Sequence, residues 1–368
     1  MTLTPHPAGS PPSAVPPATS PAPQARTPFW DNGRFLLMVL VVLGHALSTL
    51  NPDSKVIYGT YVLIYAFHMP AFAVLSGYFS RSTPPSRQRM ARLFTDLLLP
   101  YLIFDTGWYV ILRLIRGEAT FDPTAAEWTL WYLLALALFR VTLPYLAVLR
   151  WPLAWTLVIS VVVGYLPAVN TTFSLSRAFA LLPFFTLGWW VREKGLVSRW
   201  HLLDRQPRWV PFAAVAVLAA AGWIGWFFAD FWREFHLIEW LYYRSAYPAM
   251  GVDDWWAGGI RLLMIGAALL LMAAFFALVP RGRHRWTPLG AASMYIYLLH
   301  TLVLFGLRET GVLRAFEPAW LLLPGMVLGS VAICLILASK PVRAVFGPLV
   351  EPRPAALFTD PTLIRHRR

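Results

Sequence analysis

From about residue 29 onward the chain alternates between runs of roughly 18 to 22 mostly apolar side chains and short connections that hold most of its charges. Ten such runs can be marked, at 33–50, 56–80, 92–114, 127–146, 152–169, 175–193, 209–229, 258–279, 289–307 and 318–338. A helix rises about 1.5 Å per residue, so runs of this length suit a hydrocarbon layer of about 30 Å. The expected fold class is therefore all-α: a polytopic membrane protein of about ten transmembrane helices with no soluble domain.

The connections give the expected orientation. Arg81, Arg87, Arg89 and Arg92 surround the second connection; Arg192, Lys194, Arg199, Arg205 and Arg208 fill the sixth; Arg281, Arg283 and Arg285 fill the eighth. All are even-numbered and so share one side, while the long seventh connection carries Asp230, Glu234, Glu239, Asp253 and Asp254. By the positive-inside rule the even connections and both termini are cytoplasmic, N-in and C-in. Residues 1–28, rich in Pro, Ala, Ser and Thr, read as a disordered cytoplasmic tail. They lack the basic start and apolar core of a signal peptide, so the first span is expected to be retained. Residues 29–340 form the membrane domain, and 341–368 a basic cytoplasmic tail. No inverted internal repeat of the transporter kind is evident.

Composition narrows the class. Of 368 residues, 58% are hydrophobic and 13% charged, too apolar for a soluble domain. The net charge of +13 would suit nucleic acid, but its basic residues sit in the short connections that set topology, so no nucleic-acid partner is expected. Cys334, the single cysteine, lies inside an apolar run; this excludes a disulfide framework and a thiolate metal cluster and reads as core packing.

Against this background the ionisable groups inside spans stand out, because an intramembrane charge is a functional hypothesis by default. In DNGRFLLMVLVVLGH the eleven steps from Arg34 to His45 come to about 1100°, about 20° past three turns, so both lie on one helical stripe with Asp31 close to it. His45, His68 and His300 would all lie near mid-membrane. Histidine suits proton transfer near neutral pH, and arginine suits phosphate or carboxylate. Arg34 can thus hold an anionic, nucleotide-like handle near the surface while an extended arm reaches His45. Arg89 and Arg92 either line the same vestibule with Arg34, His45 and His68 or only obey the positive-inside rule. Asp105, inside the third span, needs a partner, a histidine or an arginine.

Other features read as structural. Ser76 and Gly77 suit a small-residue helix contact, and Pro70 is expected to kink the second span near His68. The Trp and Tyr between Trp223 and Trp256 fit an interfacial aromatic belt better than a sugar-stacking surface. Asn170-Thr171-Thr172 matches a glycosylation sequon only at the level of chance.

The segments WDNGRFLLMVLVVLGH, FHMPAFAVLSGYFSR, RQRMARLFTDLLLPYLIF, LWYLLALALF, LPFFTLGWW and MYIYLLH, in this order, resemble the acyltransferase 3 family of integral membrane O-acyltransferases, in particular its fucose 4-O-acetylase-like branch. The likeness runs from about Trp30 to about Ser339. It implies transfer of an acyl group, usually acetyl, from acyl-CoA (usually acetyl-CoA) to a hydroxyl of a carbohydrate or other cell-surface or secreted acceptor. It also implies that His45 is the essential histidine and Arg34 its companion, an arginine-then-histidine pair ten residues apart. His68, Arg89 and Arg92 match further recurring polar positions. Some relatives carry an appended extracytoplasmic hydrolase-like domain that this chain does not show.

The expectation is a multi-pass cell-membrane O-acyltransferase with His45 as general base and Arg34, Arg89 and Arg92 on the donor phosphates. Asp31, His68, Asp105 and His300 support it; no metal and no permanently bound cofactor are expected, with acyl-CoA as donor substrate. The alternative from another class is a transporter or flippase of a polar lipid or sugar in which the same histidines relay protons.

Overall fold

A computed structural model describes residues 27–48, 54–117, 120–197, 206–311 and 319–360. Most of the proline-rich tail, Arg199, Arg205 and the last eight residues lie outside the described residues. Among the described residues there are helices and no strands.

The first helix, α1 (Pro28–Leu47), starts earlier than hydropathy alone suggests. Pro28 takes the first helical position, where its missing N–H costs nothing, and Asp31 in the first turn complements the positive helix end. It ends where Ser48 donates through its backbone to Gly44 O and through Oγ to His45 O. α2 (Lys55–Tyr78) is capped by the Ser54 hydroxyl, which accepts from the Ile57 N–H, and it runs through Pro70 as one continuous helix. α3 (Arg87–Leu93), capped by Ser86, leads through a π-helical turn, Phe94–Leu98, into α4 (Leu99–Arg116). A widened turn just before Pro100 follows from the proline's lack of an N–H, which shifts the backbone bonding pattern. Arg89 and Arg92 therefore stand on a helix and not in a loose connection. Gly117, at φ +75°, ends α4 in the left-handed conformation that glycine takes freely.

The chain continues through α5 (Trp131–Leu146), α6 (Pro152–Val163), α7 (Leu175–Glu193), α8 (Trp209–Phe227), the short α9 (Ala229–Glu234) and α10 (Leu237–Tyr242), and α11 (Ala257–Leu278). A 3-10 turn over Thr287–Ala292 leads into α12 (Ser293–Glu309), followed by α13 (Ala319–Leu337) and α14 (Lys340–Val350). Ten of these helical stretches fall on the ten expected runs. Six are both long and apolar enough to cross a membrane, and a seventh is possible if the last pair, bent by 71°, counts as one span. Part of the shortfall has local causes: α5 and α6 are only 16 and 12 residues long, with α6 starting at Pro152 and ending at its cap, Gly164. The protein is a multi-pass membrane protein.

α2 is the central helix and packs on α1, α7, α8 and α11. Its crossing with α7 is set by two glycines. A Cβ at Gly77 would fall on the Phe185 carbonyl, and one at Gly188 on the Val74 carbonyl, so the two backbones touch. The small-residue contact expected at Gly77 is thus present.

Polar contacts sort the connections between two ends of the bundle. At one end Arg192 donates to the carbonyls of Tyr78 and Ser80, and Asn32 donates to those of Pro280 and Gly282. This gathers the connections that carry Arg81, Lys194 and Arg281 around the start of α1. At the other end Lys55 pairs with Asp230, Arg244 with Glu239 and Arg116 with Glu309.

Candidate active site

The stripe of α1 that carries Arg34 lines a cavity of about 230 Å³ shared with α2, α5 and α12. Arg34, Met38 and Val41 follow one another along it, at positions i, i+4 and i+7. Ser76, Tyr132 and Tyr297 face them, and the Ser76 hydroxyl lies 3.0 Å from that of Tyr132. Ser76 is therefore a wall of this cavity as well as a neighbour of the helix crossing. Arg34 pairs with Asp31 at 3.4 Å and lies over the Phe79 ring, 4.4 Å from its centroid, so Asp31 does hold Arg34.

Phe79 and Arg140 also line a second, larger cleft of about 710 Å³ that contains Arg81, Arg89, Arg92 and Asp96. Arg89 Nη1 donates to the Thr83 carbonyl at 2.8 Å. The two hollows adjoin through Phe79 and Arg140, so five arginines, Arg34, Arg81, Arg89, Arg92 and Arg140, border one continuous region at the end of the bundle where α1 begins. Sequence reasoning missed Arg140. It had a signal, since LALALFRVTLPY places an arginine inside an apolar run by the same criterion that singled out Arg34.

The histidines form a separate group at the far end of α1. His45 stands in the last turn of α1, about 25 Å along the helix from Pro28 at 1.5 Å per residue. The earlier start of α1 places it nearer that end than the middle position expected. Its ring centroid is 5.5 Å from that of His300 on α12, and its Nδ1 is 3.2 Å from the Tyr65 hydroxyl on α2. The Tyr65 ring in turn meets His68, 4.8 Å between centroids. The three histidines thus share one level, as expected. They do not line the hollow that holds Arg34, whose wall stops at Val41, one helical turn short of His45. The shared vestibule expected for His45, His68 and the arginines resolves into an arginine-lined hollow and a histidine cluster, His45 lying one helical turn beyond the hollow on the same stripe.

Hydrogen bonding fixes the state of two rings. His68 Nδ1 is 2.8 Å from the Ile64 carbonyl and His300 Nδ1 is 2.9 Å from the Ile296 carbonyl. A carbonyl only accepts, so each Nδ1 carries a proton, and in the neutral form of either ring Nε2 is the acceptor. The His300 Nε2 is buried without a partner among the described residues.

Beyond the histidines lies a cluster that sequence reasoning did not assemble. Tyr61 stacks on Tyr65, 4.1 Å between centroids, and its hydroxyl is 2.6 Å from that of Tyr242. Arg177 donates from Nε to the Tyr242 carbonyl at 3.3 Å and lies over the Trp131 ring. Part of this was legible: Tyr61, Tyr65 and His68 stand at i, i+4 and i+7 in YVLIYAFH, one face of one helix. Tyr242 was not, because it arrives from a short helix in the seventh connection, which read only as an interfacial belt.

Asp105 corrects an expectation. It is buried, but its Oδ1 accepts from the Glu127 backbone N–H at 3.3 Å. Its partner is a backbone amide and neither a histidine nor an arginine, because α4 faces the 120–130 loop at this level. The described residues contain no group of three or more potential metal ligands.

The family model described as an acyltransferase domain matches residues 27–339, which takes in both the arginine-lined hollow and the histidine cluster. No curated protein matches the chain, and no solved structure does.

Proposed function

The chain belongs to the acyltransferase 3 family, and from that premise we propose that it is a membrane-bound O-acyltransferase. It moves an acyl group, acetyl being the expected one, from acyl-CoA to a hydroxyl of a carbohydrate or related cell-envelope or secreted acceptor. The observation that carries the reading is the continuity of one α1 stripe, from the arginine-lined hollow at Arg34, past Met38 and Val41, to His45 beside the His300 ring.

In this reading the basic end of the bundle is cytoplasmic and receives the donor. Its phosphates take charge-assisted hydrogen bonds from Arg34, Arg89, Arg92 and Arg140. The thioester arm then lies along Met38 and Val41 and brings the carbonyl to the histidine level. His45 acts through Nε2 when its Nδ1–H donates to the Tyr65 oxygen, which orients the ring as a third group orients the base of a hydrolytic triad. Nε2 removes the proton of the acceptor hydroxyl as its oxygen attacks the thioester carbonyl. The C–S bond breaks as the tetrahedral intermediate collapses, and the proton passes from His45 to the departing CoA sulfur.

The purified protein in nanodiscs, given acetyl-CoA and an envelope glycan extract, should release free CoA thiol together with acetylated glycan. His45→Ala should lower that release by about 10²- to 10⁴-fold, the range of general base catalysis. Vectorial movement of a polar lipid or sugar with no consumption of acyl-CoA would overturn the reading.

A further inference from the structure

Arg261, the fifth residue of α11, is 3% exposed. Among the described residues its Nε and Nη1 have no hydrogen-bond partner, and no carboxylate pairs with it. The guanidinium lies instead over the rings of Tyr243 and Tyr247, 4.7 and 5.4 Å from their centroids. Aromatic faces offset only part of the desolvation of a buried charge, and its unmade N–H bonds remain costly.

The charge opens on a small cavity of about 10 Å³ between α6, α7 and α11, lined also by Ser160, Ser176, Tyr243 and Ser245. The Ser176 and Tyr243 hydroxyls are likewise buried without partners among the described residues. The wall is held firmly. Tyr243 adopts φ +55°, a conformation a bulky residue reaches only when its surroundings impose it. The Tyr247 N–H donates to the Gly164 carbonyl at 2.7 Å, and a Cβ at Gly164 would meet the Tyr247 ring.

The unsatisfied set is two guanidinium nitrogens, carrying three N–H groups, and two hydroxyls, with no carboxylate among the described lining residues, which suits an anion and repels a cation. The space is about that of a single water-sized sphere, too small for phosphate or an organic acid. We propose that this cavity binds one monatomic anion of the halide class, with chloride the abundant physiological candidate. The bound ion neutralises Arg261 and ties the Tyr243–Tyr247 segment to α6 and α7. Tyr242, next in the chain, is thereby held against Tyr61 and beside Arg177, so the ion supports the far wall of the histidine cluster without touching it.

The test compares thermal unfolding of the full chain in nanodiscs in sodium chloride and in sodium gluconate at equal ionic strength. The midpoint should rise with chloride and saturate. Arg261→Met should abolish the dependence, and Ser176→Ala should raise the chloride concentration at half-effect by roughly tenfold, the loss expected for one hydrogen bond to a charged ligand. Should Arg261→Met fail to fold, Ser176→Ala and Tyr243→Phe decide. Identical midpoints for the unmodified protein in chloride and gluconate would mean that the cavity holds water only and would overturn the proposal. A chloride effect undiminished in every foldable variant would overturn it as well. Neither result bears on release of CoA thiol, so the acyltransfer reading stands or falls separately.

Discussion

His45 on α1 and His300 on α12 lie ring to ring, 5.5 Å between centroids, yet they are oriented by different kinds of partner. His300 Nδ1 is tied to a backbone carbonyl one turn back on its own helix, whereas His45 Nδ1 meets a hydroxyl on another helix. The backbone tie fixes one tautomer. A hydroxyl can donate or accept, so His45 can change its protonation without losing its partner, which is the property a proton-transferring ring needs.

The asymmetry predicts unequal losses. His45→Ala should remove nearly all CoA thiol release. His300→Ala should lower it by about tenfold to a hundredfold, because it takes away one polar neighbour and leaves the base. Both proteins should purify at normal yield, since the Ile296 carbonyl keeps its place in the helix. Equal losses, or a larger loss at His300, would transfer the role of base to His300.

Tyr65→Phe isolates the orienting bond. The ring remains to pack on Tyr61 and to meet His68, and only the hydroxyl, which meets His45 Nδ1 and the Tyr61 side chain, is lost. The expected outcome is a fall in kcat of about tenfold to a hundredfold with the KM for acyl-CoA unchanged, since the bond acts on the base and not on the donor. Tyr61→Phe, which loses the hydroxyl contacts to Tyr242 and Tyr65 but leaves the Tyr65 hydroxyl at His45, should be much milder. Steady-state kinetics on the pair decides; a rise in KM with kcat intact would place Tyr65 in donor binding.

What the sequence revealed and what it hid follow from the range of each interaction. The Arg34–His45 stripe and the Gly77 contact depend on helical periodicity, which is local, and both are found. The level shared by His45, His68 and His300 follows from helix direction, which the charged connections supply. The separation of the arginine hollow from the histidine cluster depends on which side chains of α2, α5 and α12 close the space at Val41, and that is set by packing between distant segments. Asp105 shows the same limit: its partner is a backbone amide 22 residues away, and no rule about charged pairs points to an amide. Arg261 was passed over because it lies at the edge of an apolar run, where an arginine ordinarily extends its head group to the interface.

The α2–α7 crossing should tolerate no added carbon. Gly77→Ala would drive a Cβ into the Phe185 carbonyl, and a backbone cannot move aside as a flexible side chain can. Destabilisation of about 1–3 kcal/mol or more is expected, as for an overpacked core. It should be read as an earlier loss of monodisperse protein on heating in detergent. Gly107→Ala is the control, since no atom of the described residues lies within 4 Å of a Cβ there. Its midpoint should stay level or rise slightly as helix propensity improves. Matching midpoints for the two variants would contradict the close crossing.

Arg140 gives the sharpest test of how the donor is held. It borders both hollows, and a guanidinium there can reach an anion lying between Arg34 on one side and Arg89 and Arg92 on the other. Arg140→Met keeps the length and apolar stem but removes the charge. A hydrogen bond to a charged group contributes about 1.5–3 kcal/mol, so the KM for acyl-CoA should rise by about tenfold to a hundredfold. Arg140→Lys should recover only part of it, because an ammonium cannot make the paired bonds of a guanidinium. The donor's chemistry supplies the internal check. If Arg140 contacts a phosphate, a donor trimmed to its acylated pantetheine arm should bind equally weakly to the unmodified protein and to Arg140→Met. If Arg140 only supports the fold, the variant should instead lose activity with the trimmed donor too. A rise in KM confined to the full-length donor, shrinking as salt screens the phosphates, would establish the cleft as the place where the nucleotide end is gripped.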